Sequence, residues 1–437
     1  MKRFVLLLIL ALLAPVANAQ TITWIKYDPS AIRSDRTAPA TIELLITGTV
    51  TGVRLDYAIG GGSLTLAPTG PGRWGASVPA AQLLAGYDAS DVNHNFVGFV
   101  RLLSGTTTLS SYNSFINVVD SHVPAPAIRQ IDNAARATPR ILNLYRSILT
   151  INDVQSAVQQ FYTYYHDDFD FVQVVFALPS WPSNRYHFMV RNAVSGIGAT
   201  PANNGAAYGS AAKLKGVTVF PIDTLFDAGE SAFSHELGHQ WINFLKNASL
   251  AGGSPHWPPS TMARGIMGLS IPGSGAGGDF PYKIEMASST TAHVTISTVT
   301  QEFSDLDLYL MGFLPPSAVA PGIVIQGSGC SDCTVPAAQI TIADVIAANG
   351  PRIPDSTTSQ KSFRVATVVI SRDRLLNDEE LAVLEYFAAR GESDEILPYT
   401  SGFARGTTKP FFLATRRMAS VDLRLELPPP RRRAAKH

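Results

Sequence analysis

The segment Ser234-His235-Glu236-Leu237-Gly238-His239-Gln240-Trp241 places two histidines four positions apart, with a glutamate directly after the first. On a helix, residues four apart share one face about a turn apart, so the imidazoles of His235 and His239 can converge on a single cation. Zinc suits such nitrogen donors and lowers the pKa of a bound water toward ~7. Glu236, the next residue round, is placed to hold that water rather than to ligate. A carboxylate there can take the water's proton and pass it to a departing amine. Phe233, Leu237 and Trp241 recur at a spacing of four and give the same helix an apolar stripe to bury behind the metal face.

A catalytic zinc needs a third protein ligand and an open position. The leading candidate is His256 in Ser254-Pro255-His256-Trp257, seventeen residues beyond His239 and inside a Gly/Pro-rich stretch able to fold back on the helix. Met267 stands eleven residues later, in Gly265-Ile266-Met267-Gly268. The rival ligand is Glu302, in Gln301-Glu302-Phe303-Ser304-Asp305-Leu306-Asp307-Leu308-Tyr309. Asp305 and Asp307 are candidates to support a ligand histidine without touching metal. Tyr309 is read as a packed tyrosine before an oxyanion donor. His94, His122, His166, His187 and His293 have no partner at ligand spacing and are read as structural.

These residues resemble the zincin metallopeptidases and, locally, the leishmanolysin-like branch of the metzincins, in which an insertion displaces the third histidine. In that branch the displaced histidine is followed by Trp and precedes a methionine turn by a similar interval. The resemblance covers His235 to Met267. It implies zinc held by His235, His239 and His256, Glu236 as general base, and Met267 beneath the metal without ligating it. The chain departs from the short metzincin pattern, which has a glycine at position 242 and a histidine at position 245, where Ile242 and Leu245 stand here. A thermolysin-like ligand is excluded because no glutamate lies between Glu236 and Glu285. Glu302 with Asp305 or Asp307 loosely matches the neprilysin-like gluzincins, and this alternative stays open at the level of sequence.

Elements must position these groups. From Thr21 to about Val119, short β-rich runs alternate with turns such as Gly60-Gly61-Gly62, which predicts an all-β, immunoglobulin-like sandwich over 20–119. Prolines in Ser121-His122-Val123-Pro124-Ala125-Pro126 mark a linker over 120–130. Residues 131–425 are expected to form a zincin-like α+β catalytic domain, with 131–248 above the cleft and 249–425 below it. Helical spacing predicts helices over Ile131–Leu149, Asp153–Tyr165 with Asn152 as N-cap, Asp227–Lys246, Phe303–Leu314 and Asn377–Arg390. Strands are expected over Phe169–Leu178, Tyr186–Arg191, Gly216–Ile222 and Phe363–Ile370. The continuous apolar character of Phe171-Val172-Gln173-Val174-Val175-Phe176 predicts a strand covered on both faces.

The first nineteen residues carry Lys2 and Arg3, an apolar run from Phe4 to Leu13 and Ala17-Asn18-Ala19, the pattern of a signal peptide cleaved after Ala19. That predicts a secreted or periplasmic protein, and no later run reaches the length of a transmembrane helix. The 34 basic and 34 acidic side chains balance, with no long basic stripe, so nucleic acid is not an expected partner. A basic, proline-rich tail over 426–437 is expected to be disordered. The two cysteines, Cys330 and Cys333, read as a small disulfide pinning a loop. The expected partner is a protein or peptide substrate, with surface association through the β-sandwich as a further expectation. Two other readings are a non-catalytic adhesion protein with a vestigial zinc site and a zinc amidase acting on cell-wall crosslinks.

Overall fold

The computed structural model describes residues 20–426 apart from 90–91, 180, 226–231, 248, 251–255, 259, 263–264, 269–281, 297–301, 326–331 and 396–408. The signal segment 1–19, most of the basic tail and Cys330 lie outside the described residues. Cys333 is disulfide-bonded, which fits the expected pairing with the chain's one other cysteine.

The N-terminal unit is all β. Its strands are β1 (Thr21–Asp28), β2 (Ala31–Arg33), β3 (Ala40–Thr47), β4 (Gly52–Tyr57), β5 (Ser63–Gly70), β6 (Arg73–Val78), β7 (Val92–Ser104) and β8 (Thr107–Val119), with a short α1 (Ala80–Leu83) between β6 and β7. They pair in the order β1-β3-β6-β5-β4-β7-β8-β2. The first half of β5 pairs with β4 and its second half with β6, so this strand joins two halves. Period-two alternation along β3 turns Ile42, Leu44 and Ile46 inward. They meet Val53, Leu55, Val100 and Ile116 in a core of the unit's own.

The second unit mixes helices with a large sheet. It contains β9 (Arg129–Asp132), β10 (Ala135–Ala137), β11 (Ile141–Tyr145), α2 (Asp153–Tyr164), β12 (Phe171–Phe176), β13 (Tyr186–Met189), the small pair β14 (Arg191–Asn192) and β15 (Ala202–Asn203), and β16 (Gly216–Pro221). After α3 (Ile222–Leu225) and α4 (Ala232–Gly238) comes a four-stranded sheet of β17 (Tyr282–Met286), β18 (Thr291–Ile296), β19 (Gly322–Ile325) and β20 (Cys333–Ile340), in the order β17-β18-β20-β19. The remaining elements are α5 (Asp305–Met311), α6 (Ile342–Asn349), β21 (Ser362–Ser371), α7 (Asp378–Gly391), α8 (Phe411–Ala414) and β22 (Ser420–Asp422).

The large sheet runs β13-β16-β12-β21-β11-β10-β9, with β22 on β21. Its centre is parallel, β16, β12, β21 and β11, and β13 closes one edge antiparallel to β16. Every residue of β12 is buried, as its apolar run predicts. Apolar side chains of α2 cover one face of the sheet. The other face packs on α4, α5, α7 and α8. Strand β21 belongs to the part of the sequence expected below the cleft, yet it sits between β12 and β11 at the sheet's centre.

Three sequence expectations need correction. Ile131–Leu149 is not helical but folds into β10, β11 and the end of β9, and β9 begins inside the expected linker. Pro139 cannot continue a helix, and Asn143, buried in the apolar run, bonds to Val369 O and Ser371 Oγ across the sheet. The helix expected over Asp227–Lys246 is described only as α4, Ala232–Gly238. Past Gly238 the bonds shorten, Gln240 N to Leu237 O and Trp241 N to Gly238 O, and Asn243 turns left-handed at φ 76°. Asn152 precedes α2 without a side-chain cap.

Elsewhere α7 matches its expectation, with Asn377 and Glu380 forming a capping box. Glu380 also accepts from Ser30 N at 2.8 Å and from Arg374 Nη1 at 2.6 Å, while Arg36 pairs with Glu379. The acidic first turn of α7 therefore docks the all-β unit onto the mixed one. No helix among the described residues is long and apolar enough to cross a membrane.

Candidate metal centre

Strand β16 leads through α3 to α4, which carries His235 and Glu236, while His239 follows in the tightened turn. His235 is 1% exposed and lies over Ile266, whose carbonyl accepts from its Nδ1 at 2.5 Å. That bond places the proton on Nδ1 and leaves a lone pair on Nε2. His235 Nε2 faces His256 Nε2 at 3.0 Å. The rings of His235 and His239 are 5.0 Å apart, those of His235 and His256 4.9 Å, and those of His239 and His256 5.6 Å. One nitrogen from each of the three lies within 4.8 Å of the others, the one such group of potential ligands among the described residues.

Burial holds all three imidazoles in the neutral form that can ligate. His235 is pushed down to about 3 and His256 to about 4, while His239 falls well below the usual histidine range, in each case first by loss of water. His256 Nδ1 is buried without a hydrogen-bond partner. Neutral nitrogens converging from three sides, two of them at 3.0 Å, fit a tetrahedral cation such as zinc with one position left over.

No protein family, characterised protein or solved structure matches this chain. The site is therefore read from its own chemistry.

Glu236 is 3% exposed, and burial raises its carboxyl to about 7. Its Oε1 accepts from Arg185 Nε at 3.0 Å, in an ion pair whose side chains are 14% and 4% exposed. Arg185 lies immediately ahead of the edge strand β13. Within β13, His187 bonds Gln240 Oε1 at 3.0 Å, and Gln240 Nε2 donates to Arg191 O at 2.9 Å, so the residue after His239 is tied to the sheet edge.

Met267 is fully buried and packs against α4 at Gly238. A Cβ on Gly238 would come within 2.8 Å of Met267 Sδ and 2.9 Å of Phe303, so only glycine lets the helix lie this close. Met267 stands in a tight turn, Gly268 N to Gly265 O, and its carbonyl accepts from Trp257 N at 3.2 Å. Gly265, at φ 92°, has no room for a side chain against Glu302 O.

Trp257 carries His256 into place. Its Nε1 donates to Asp307 Oδ1 at 2.7 Å, and Asp307 Oδ2 accepts from Ser304 N at 3.0 Å in the capping box of α5. Burial pushes the Asp307 carboxyl up to about 6. Arg352 closes the other end of α5, donating to Leu310 O and Met311 O, and its backbone N donates to the Tyr309 hydroxyl. Asp307→Ala leaves the Trp257 indole and the Ser304 amide as buried donors without acceptors, at roughly 1–3 kcal/mol each. We expect a loss of about 2–4 kcal/mol in urea unfolding; a loss under about 1 kcal/mol would show that Asp307 does not anchor this turn.

Of the sequence candidates, His235, His239 and His256 come together with Glu236 beside them. Glu302 does not join them, being held by Lys409 and by Arg416 at 3.6 Å. Asp305 pairs with Arg416 at 2.6 Å, the Tyr309 hydroxyl accepts from Arg352 N, and Asp305 is not in the group with the three histidines. Arg185 carries no signal in the sequence, because it stands just ahead of β13, far along the chain from Glu236 and with no motif around it.

Proposed function

We propose that this chain is an exported zinc-dependent metallopeptidase of zincin type, closest in its ligand arrangement to the leishmanolysin-like metzincins. The observation that carries this reading is the arrival of His256, from a separate loop, within ligand distance of His235 and His239 and beside the buried Glu236. Met267 beneath Gly238 supports it.

His235, His239 and His256 would hold the ion, which when bound supplies Lewis-acid activation of water and of a carbonyl. Glu236 receives a proton from water as the water oxygen bonds to the carbonyl carbon and the C=O π pair moves onto oxygen. It then delivers that proton to the amide nitrogen as the C–N bond breaks and the carbonyl reforms. Strand β13 lies at the edge of the sheet, with Phe188 38% exposed. An extended peptide can add to such an edge through main-chain hydrogen bonds, which favours peptide over non-peptide amides as substrate.

The test is hydrolysis of denatured casein by the purified protein, before and after chelation. Activity that disappears with the chelator and returns with zinc is expected; activity unaffected by metal removal, or absent from the zinc-loaded protein, would overturn the reading.

A further inference from the structure

The second prospective ligand, His239, stands where the regular helix has ended. α4 stops at Gly238, the next bonds run from Gln240 N to Leu237 O at 3.1 Å and from Trp241 N to Gly238 O at 3.0 Å, and Asn243 is left-handed. The i→i−4 ladder that fixes His235 therefore does not by itself fix an imidazole one residue further on. The neighbours of His239 have to locate it.

One of them is held at both ends of its side chain. Gln240 is 3% exposed, and its Nε2 donates to Arg191 O at 2.9 Å. The amide oxygen is thereby turned to His187, whose Nε2 donates to it at 3.0 Å. His187 comes from β13, and Arg191 opens β14 just beyond it. The amide thus spans two points of the chain segment at the sheet edge, fifty-three and forty-nine residues before Gln240. On the far side of the turn, Trp241 packs on Phe171 and Phe363 with ring centroids 5.8 and 5.5 Å away.

The sheet makes room for this pair. A Cβ on Gly216, the first residue of β16, would come within 2.7 Å of Gln240 Oε1 and closer still to the His187 ring. Bare backbone at that position lets the imidazole and the amide meet over the strand. The bond is made even though His187 Nδ1 is left buried without a partner. A ring kept in place with one nitrogen unsatisfied is not optimised for stability alone.

We propose that His187, read from the sequence as structural, is a positioning residue for the metal centre: through Gln240 it sets the place of His239 without touching the ion. This rests on the zinc peptidase reading above. His187→Phe keeps a ring beside Phe171, which lies 6.4 Å from the His187 ring. It removes the unpartnered Nδ1 and leaves Gln240 Oε1 without a donor, two changes that oppose each other in the stability of the fold. The metal-free protein should then unfold in urea close to the wild-type midpoint, while zinc binding weakens.

The experiment measures zinc affinity of the full chain by competition with a chelator of known affinity, and the urea midpoint of the same proteins stripped of metal. Wild type is compared with His187→Phe, His187→Gln and Gln240→Met. His187→Phe and Gln240→Met should bind zinc about 10-fold more weakly, the scale on which groups behind metal ligands act. His187→Gln, which restores an N–H donor at similar reach, should recover most of the loss.

Wild-type zinc affinity in His187→Phe would overturn the inference and leave the peptidase reading standing. A loss of affinity matched by a fall in the metal-free midpoint, and not recovered by His187→Gln, would overturn it by making His187 a packing residue. Failure of both His187→Phe and Gln240→Met to fold would do the same. A wild type that takes up no zinc would overturn the peptidase reading, and this inference with it.

Discussion

Glu236→Gln is expected to lower the rate of peptide hydrolysis by about 10²–10⁴-fold, the span that general acid–base catalysis contributes, while zinc content stays at the wild-type level. The amide has nearly the shape of the carboxylate and can still receive Arg185 at its oxygen, so the pair that packs at 3.0 Å survives in geometry. What is lost is the ability to take a proton from water and return it to the leaving nitrogen. Because Glu236 is buried beside the three histidines rather than among them, the ligand set should be untouched. The measurement is kcat/KM on a fluorogenic peptide beside metal analysis of the same sample. Normal turnover by the glutamine variant would remove Glu236 from the mechanism, and loss of zinc would make it a ligand.

The second large effect belongs to His256. Removing an outer partner that merely orients a metal-binding histidine typically costs 10–100-fold in affinity, and removing a ligand should exceed that. His256→Ala is therefore expected to weaken zinc binding by more than 10²-fold in competition with a chelator of known affinity. His256 is held by Trp257, which is anchored at Asp307 and at the Met267 carbonyl. The backbone of the turn should thus persist without the imidazole, and the loss should reflect the missing nitrogen. A change of only a few fold would mean that two histidines and some other group carry the ion.

How far the sequence could be read depended on how local each signal was. His235, Glu236 and His239 are legible because four-residue spacing on a helix is a geometric fact about a single element. β12 is legible from its unbroken apolar run, and α7 from the Asn377 cap followed by Glu380. The short strands β9, β10 and β11 misread as a helix because a few apolar residues at mixed spacing satisfy either period. What decides between them is Asn143 bonding to β21, more than two hundred residues away. The central place of β21 was hidden for the same reason, since parallel pairing leaves no mark in the neighbouring sequence.

The site divides along the same line. His256 could be nominated from a Gly/Pro-rich stretch and an adjoining Trp, but its rival Glu302 was excluded only by seeing its salt bridges to Lys409 and Arg416. The tie from Trp257 to Asp307 spans fifty residues. Arg185 reaches Glu236 from the segment just ahead of β13, fifty-one residues earlier. Contacts made by tertiary approach of this kind have no periodicity to find.

The most direct test of the account is the zinc content of the purified protein by elemental mass spectrometry, for wild type, His256→Ala and Glu302→Ala side by side. The account predicts one zinc per chain in wild type and in Glu302→Ala and little in His256→Ala; zinc lost with Glu302 but kept without His256, or no zinc in wild type after reconstitution, would contradict it.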